Sequence, residues 1–488
     1  MPALSVIDLA MFALETRERP FNIGPLIVLA PPPGFRGNFA DKLVARMLKR
    51  PLGPPFNYRL AVAPMGVPRL DVDDEVDPAA HVHRLTLKAP GTRAQLFARV
   101  CKLHESRLDR SRPLWELYVI DGLEGGRVAL YGKVHHGIID GRTFVQVVSA
   151  WLATSPTQRT VHAMWEGTAR TSPASLPRAS LAVRVRRALG QATGTAASSV
   201  SLARMLGEQG LKKLGIGGAD GLSLPFLGVP RALTGLPIAK RVYAYCALPL
   251  DELKSYAKKL DAKVNDLLLA TLDIAIDRYL QEHGKRASKA LVAAMPVALA
   301  DARGGNQIAV LQFPLGAPGK NPAARLADIL KETAKVKGVI GRATSETVML
   351  YTTLVHGLPA LLEKVGVKRG PRVSNLLVSN PFGLPEKRYL MGAEVELVLP
   401  ISVVAAGHML NVTAVTLADR LQLGFLGMPD AVPHIEKLAA YTVAAFEQLK
   451  QATGASRAAP APKKPRPAAP RRVARKARKS AARTSAQR

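Results

Sequence analysis

The chain has 488 residues, 48% hydrophobic and 22% charged, and its 68 Lys and Arg against 37 Asp and Glu give a formal net charge of +31. This composition excludes a chain disordered throughout, and at about 150 residues per domain the length predicts two or three domains with a sizeable core. Two cysteines, Cys101 and Cys246, without a CxxC pair, exclude a disulfide framework or a thiolate metal cluster and fit a reducing compartment.

The opening MPALSVIDLAMFALETRERP carries Asp8 and Glu15 and lacks the basic start, apolar run and small-residue cleavage site of a secretory signal. No apolar run approaches the roughly 18 residues of a membrane span. Residues 93–108 place Leu96, Phe97, Val100, Leu103 and His104 at helical spacing. Residues 127–134 alternate instead, with Val128, Leu130 and Val134 on one side and Ala129, Tyr131 and Lys133 on the other, which predicts a strand. After HHGIIDG (135–141) a helical stripe of Phe144, Val147, Val148, Trp151 and Leu152 begins. HHGIIDG therefore reads as a strand-to-helix corner.

Residues 160–240 are loop-like and turn-rich, with a basic helix expected over 181–206. Asp251 is expected to cap a helix carrying Leu253, Tyr256, Ala257 and Leu260. Asn265 or Asp266 is expected to start the next, which buries Leu268, Leu272, Ile276 and Tyr279. Strands are expected at ALVAAMPVAL, IAVLQFPL, RVSNLLVSN, AEVELVLPISVV, HMLNVTAVTLA and RLQLGFLG. The resulting organisation is an N-terminal domain (1–160), a connection (161–238), a C-terminal domain (239–452) and a disordered basic tail (453–488). That tail holds twelve Lys or Arg after residue 455 and no acid, which leaves +19 for the rest.

The GxSxG elbow, GxxxxGK[ST], HExxH and a GxGxxG after a strand are all missing, which removes four large enzyme classes. Chemistry points to His135 and His136. If 134–136 are extended, successive side chains face opposite ways, so the two cannot share a metal, and one faces the core while the other can face a cleft. Gly137 and Gly141 let the chain turn, and Asp140 can bond backbone amides or pair with an arginine. A histidine so held can act as a general base near neutral pH. The plain alternative is that Asp140 only caps the following helix and both histidines are sheet residues.

HHGIIDG resembles the HHxxxDG signature of CoA-dependent acyltransferases. LSVIDLAMFALE (4–15), LDRSRPLWE (108–116), DGLEGGRVALYGKVHH (121–136), VNDLLLA (264–270), GNQIAV (305–310), SNPFG (379–383) and LADRLQLGFLGMPDAVP (417–433) resemble, in order, the bacterial wax ester synthase/acyl-CoA:diacylglycerol acyltransferase family. The resemblance covers nearly everything up to about residue 450. It implies an α+β fold of two chloramphenicol-acetyltransferase-like domains, each a mixed sheet flanked by helices, with the active site between them. It also implies an O-acyltransferase using acyl-CoA as co-substrate, with no bound cofactor or metal, and diacylglycerol or a long-chain alcohol as acceptor.

By this resemblance His136 is the general base, His135 supports it, and Asp140 holds the loop. Asn265 contacts the reacting carbonyl or simply caps its helix. Gly141, Ser379 and Asn380 lie on the substrate side. Trp115, in the PLWE stretch, is expected to be a packing anchor rather than a ligand contact, since tryptophans are usually well buried. The sequence departs from the family at Pro296 to Asp301, where an arginine is missing that Arg303 can replace, and at Pro381–Phe382, which alters the expected turn. The N-terminal PFNIG (20–24) is a further variant, and the tryptophan usual in the family near residues 68–72 is absent.

An enzyme of this kind without a spanning helix is expected in the cytoplasm, peripherally attached to the inner membrane or to lipid inclusions. The basic tail can bind anionic lipid, nucleic acid being the less expected polyanion, or serve as a solubilising appendage. Residues 181–205 can lie on a lipid interface or simply connect the domains. The alternatives in function are a condensation-type HHxxxDG acyltransferase with another acceptor and a non-catalytic lipid-surface protein.

Overall fold

The computed structural model describes residues 4, 6–62, 68–167, 226, 229–233, 235–298, 308–340, 344–367, 370–381 and 383–454. The expectations for the 181–206 helix, Arg303, Phe382 and the tail lie outside these residues. In the N-terminal part, helices α1 (Val6–Leu14), α2 (Phe39–Met47), α3 (Arg93–His104) and α4 (Gly141–Trp151) accompany strands β1 (Asn22–Ala30), β2 (Tyr58–Val62), β3 (Pro68–Val72), β4 (Val82–Thr86), β5 (Trp115–Asp121) and β6 (Val128–His135). The C-terminal part supplies β7 (Val242–Pro249), β8 (Val292–Ala298), β9 (Ile308–Pro314), β10 (Leu376–Ser379), β11 (Tyr389–Leu390), β12 (Ala393–Ile401), β13 (Leu410–Leu417) and β14 (Arg420–Gly427). Its helices are α5 (Leu250–Lys259), α6 (Val264–Glu282), α7 (Pro322–Ile340), α8 (Ser345–Lys364) and α9 (Ile435–Ala452).

Two six-stranded sheets form, ordered β11-β12-β1-β6-β5-β4 and β7-β14-β13-β10-β8-β9, with β2 and β3 as a separate pair. Both are mixed: β4 runs parallel to β5 in the first, and β10 runs parallel to β8 and β13 in the second. β11 and β12 follow β10 in the chain yet pair into the first sheet, with β12 antiparallel to β1. This crossover joins the halves, and where they meet the Val398 amide donates to Gln422 Oε1 across 2.9 Å.

The alternation read in β6 is real, but both of its faces are covered. Val128, Leu130 and Val134 enter one core cluster and Ala129 and Tyr131 another. Lys133 is buried as well, donating to Ser106 Oγ at 3.0 Å and Glu116 Oε2 at 3.4 Å. Trp115 is fully buried, stacked on His81 and Trp165, with its indole N–H donating to the Phe56 carbonyl at 2.8 Å.

Two helix starts differ from the expectation. Pro249, not Asp251, precedes the first turn of α5, because β7 runs directly into that helix. α6 begins at Val264 after Lys263, and the Asp266 carboxylate reaches back to the Lys263 amide at 2.9 Å. Asp266 thus closes the first turn from inside the helix, and Asn265 is left free of the capping task.

Candidate active site at the seam of the two sheets

The corner after β6 is built by backbone. The His135 amide bonds the Leu114 carbonyl, and the His136 amide bonds the Phe21 carbonyl at 2.7 Å. The Asp140 carboxylate accepts the Thr143 amide at 2.7 Å and so caps α4. Neither Gly137 nor Gly141 adopts positive φ, so the turn does not demand glycine for its dihedrals. Gly137 is needed for space, because a Cβ there would come within 2.9 Å of the Phe12 ring and 3.0 Å of His135 Nδ1. A Cβ at Gly141 would meet only Pro381, at 3.7 Å.

The two histidines part company at this corner. His135 is buried, its ring stacked on Phe12 at 4.5 Å, and its Nδ1 accepts the Gly137 amide at 3.0 Å. The proton therefore sits on Nε2, 3.6 Å from Glu15 Oε1. Burial, with Arg110 nearby, pushes the His135 pKa down to about 3, so the ring stays neutral. Glu15 also accepts from Arg110 at 2.9 Å and from the Phe21 amide at 3.2 Å. The LSVIDLAMFALE helix and the LDRSRPLWE stretch are thus tied together behind the corner.

His136 is half-buried and lines a cavity of about 740 Å³ whose walls come from both sheets. Burial lowers its pKa below the ordinary histidine value, against the upward pull of its own carbonyl and of the Asp140 and Asp8 carboxylates. Its Nδ1 is buried, so Nε2 is the nitrogen able to meet a substrate. Gly141, Asn265, Ser379 and Asn380 line the same cavity. Asn380 donates to the Asn265 carbonyl at 3.0 Å, which orients that amide and accounts for Asn265 without a capping role. His135 and Asp140 stand behind the wall.

Several lining residues were not singled out from the sequence. His356 and His408, 52 positions apart, stack at 5.9 Å and 6° and belong to the cavity wall. His408 Nδ1 bonds the Ala406 carbonyl at 3.0 Å, leaving Nε2 buried and without a partner. Burial lowers the pKa of His356 to about 4 and that of His408 to about 3. The loop carrying His408 is held by buried Arg19, which donates to the carbonyls of Val404, Ala405 and His408 and pairs with Glu363 of α8. Asp8 and Glu15, noticed in the sequence only as acids that spoil a signal peptide, belong to the corner itself. The exposed cations Arg142, Lys263 and Lys337 also line the cavity. The lining is otherwise mostly apolar, with Met11, Phe144, Leu269 and Phe313 among its larger members.

Two mixed sheets flanked by helices give the chain the fold of condensation and chloramphenicol-acetyltransferase-like proteins. The first condensation domain of the calcium-dependent antibiotic synthetase superposes with a TM-score of 0.55 at 15% identity, covering 92% of this chain and 96% of that one. A wax ester synthase/diacylglycerol acyltransferase from Marinobacter aquaeolei VT8 superposes with a TM-score of 0.68 at 22% identity, covering 93% and 100%. The sequence profile of the wax ester synthase/diacylglycerol acyltransferase catalytic domain matches residues 4–268, and that of the family's C-terminal domain matches residues 304–450. A probable diacylglycerol O-acyltransferase of Mycobacterium tuberculosis (strain CDC 1551 / Oshkosh) is 31% identical over 470 residues, 92% of this chain and 98% of that protein. The chain belongs to the wax ester synthase/diacylglycerol acyltransferase family.

Proposed function

We propose that the protein transfers the acyl group of a long-chain acyl-CoA to the hydroxyl of diacylglycerol or a long-chain alcohol, with His136 as general base. The observation that carries this reading is the placement of His136 on the wall of an apolar cavity shared by both halves, where burial favours its neutral form. The acceptor oxygen attacks the thioester carbonyl while Nε2 takes its proton. Collapse of the tetrahedral intermediate breaks the C–S bond, and the proton passes to the leaving thiolate. Asn265, oriented by Asn380, donates to the oxyanion. His135 packs beneath the base and Asp140 fixes the turn. Gly141 and Ser379 border the bound chains, and Arg142, Lys263 and Lys337 offer charge to the CoA phosphates. No helix among the described residues is long and apolar enough to cross a membrane. On this reading the protein works in the cytoplasm, held peripherally on anionic membrane or lipid inclusions by the basic residues after residue 455.

Thiol release from palmitoyl-CoA with hexadecanol or with a diacylglycerol tests the chemistry and ranks the two acceptors. Release with at least one of them, abolished in His136→Ala, is the expected result. No release with either alcohol overturns the reaction, and unchanged release in the variant overturns the role of His136. Truncation after Ala455 is expected to weaken co-sedimentation with anionic vesicles at low salt, and equal binding by both chains would remove the tail from this role.

A further inference from the structure

Eight large apolar side chains are exposed among the described residues, and five of them lie within fourteen residues at the end of α8. Leu354, Leu358, Leu361, Val365 and Val367 are 55%, 41%, 51%, 68% and 41% exposed. Steps of four, three and four from Leu354 to Val365 put the first four on one helix face. From Thr347 to Leu362 there is no Asp, Glu, Lys or Arg. A surface helix normally turns polar residues outward. In α8 Thr352, His356 and Ala360 line the cavity while the leucines face out, so the helix is an apolar partition between cavity and surroundings. It is too polar along its length to cross a bilayer. A contiguous apolar strip of this kind marks a contact surface.

We propose that the outer face of α8 docks in the plane of an anionic lipid surface, with Leu354, Leu358, Leu361 and Val365 entering the interface. Charge favours lipid as the occupant. Exposed Lys364 closes the helix, exposed Lys337 lines the cavity behind it, Lys368 and Arg369 follow in the sequence, and the chain carries +31. Anionic headgroups complement that surround, whereas a second copy would bring like charge against it. The purpose of the docking rests on the acyl-transfer reading, since a water-insoluble acceptor held outside α8 lies one helix away from the cavity.

The test compares the full chain with the triple variant Leu354→Asn, Leu358→Asn, Leu361→Asn in co-sedimentation with phosphatidylglycerol/phosphatidylcholine vesicles. High salt suppresses the contribution of the basic tail. The natural chain is expected to stay partly bound at high salt, with the variant at least about tenfold weaker. CoA release from a short acyl-CoA with a water-soluble alcohol is expected to be equal in both, which reports that the fold and the chemistry survive. Complete release of the natural chain by salt, equal binding by the variant, or a dimer that the variant converts to monomer would each overturn the proposal. Retained vesicle binding without CoA release in either chain would sink the acyl-transfer reading and leave the docking intact.

Discussion

Two histidine pairs serve one cavity by opposite routes. His135 and His136 are neighbours in the chain, and the pleat of β6 sends them apart, one under Phe12 and one to the cavity wall. His356 and His408 come from a helix and a loop 52 positions apart, and the fold stacks them ring on ring. The first pair is held from within its own half, by the Leu114 and Phe21 carbonyls that accept the two histidine amides and by the Gly137 amide on His135 Nδ1. The second depends on Arg19, from the other half of the molecule, to hold its loop. Adjacency in sequence therefore splits one pair between core and cavity, the split on which the proposed roles of base and support rest, while adjacency in space completes a wall.

If that contrast is correct, the largest effect falls on His136. His136→Ala is expected to lower kcat roughly 10²–10⁴-fold with little change in Tm, measured by CoA release and thermal unfolding. Next in size, Arg19→Ala strands Glu363 and three carbonyls in the interior and is expected to cost about 3–5 kcal/mol in denaturant unfolding. A loss under about 1 kcal/mol would mean that the loop is held by other contacts. His135→Ala removes the partner of Phe12 and of the Gly137 amide, so it is expected to destabilise by about 2–3 kcal/mol. Its kcat loss should remain far smaller than that of His136→Ala, and equal losses would erase the division between support and base. His408→Leu keeps the wall but removes an unpartnered acceptor, and is expected to raise the acceptor KM about two- to tenfold at unchanged kcat.

Much of this was legible beforehand because it is local. The β6 alternation and the α4 stripe are fixed by residues within one or two turns of each other. The HHGIIDG corner is visible as a motif even though the carbonyls that hold it, Leu114 and Phe21, lie far off in the chain. The cap of α6 was misread because Lys263 offers no side-chain cap, and Asp266 supplies the bond from within the helix. The crossing of β12 into the first sheet was not legible, since AEVELVLPI reads as a strand in any sheet and its partner β1 lies more than 360 positions earlier. Glu15, Arg110 and Phe12 could have been linked to the corner only by their joint presence in stretches that resemble one family. Nothing in the spacing of Arg19, Glu363, His356 and His408 signals that they meet.

The smallest expected effect is also the most specific, because it separates charge from capping. In His136 the burial penalty outweighs the pull of Asp140 and Asp8, so the folded pKa lies below the ordinary value of about 6.5. In the proposed role His136 is active when neutral. The acid limb of kcat/KM is therefore expected below pH 6.5, with activity lost as pH falls through the folded pKa. Asp140→Asn keeps a good capping residue for α4 while deleting one carboxylate that favours the imidazolium, and Asp8→Asn does the same from α1. Each substitution should move the acid limb to still lower pH while leaving the plateau within a few-fold. A limb that moves upward, or not at all in either variant, would mean that these carboxylates do not act on the base. Acid unfolding runs on a separate scale. His104, His135 and His408 are buried with pKa values near 3 and His356 near 4, so the unfolded chain binds more protons below pH 6.5 and each removes roughly 1.4 kcal/mol per pH unit. The rate profile is therefore interpretable only over the pH range in which circular dichroism shows the chain folded.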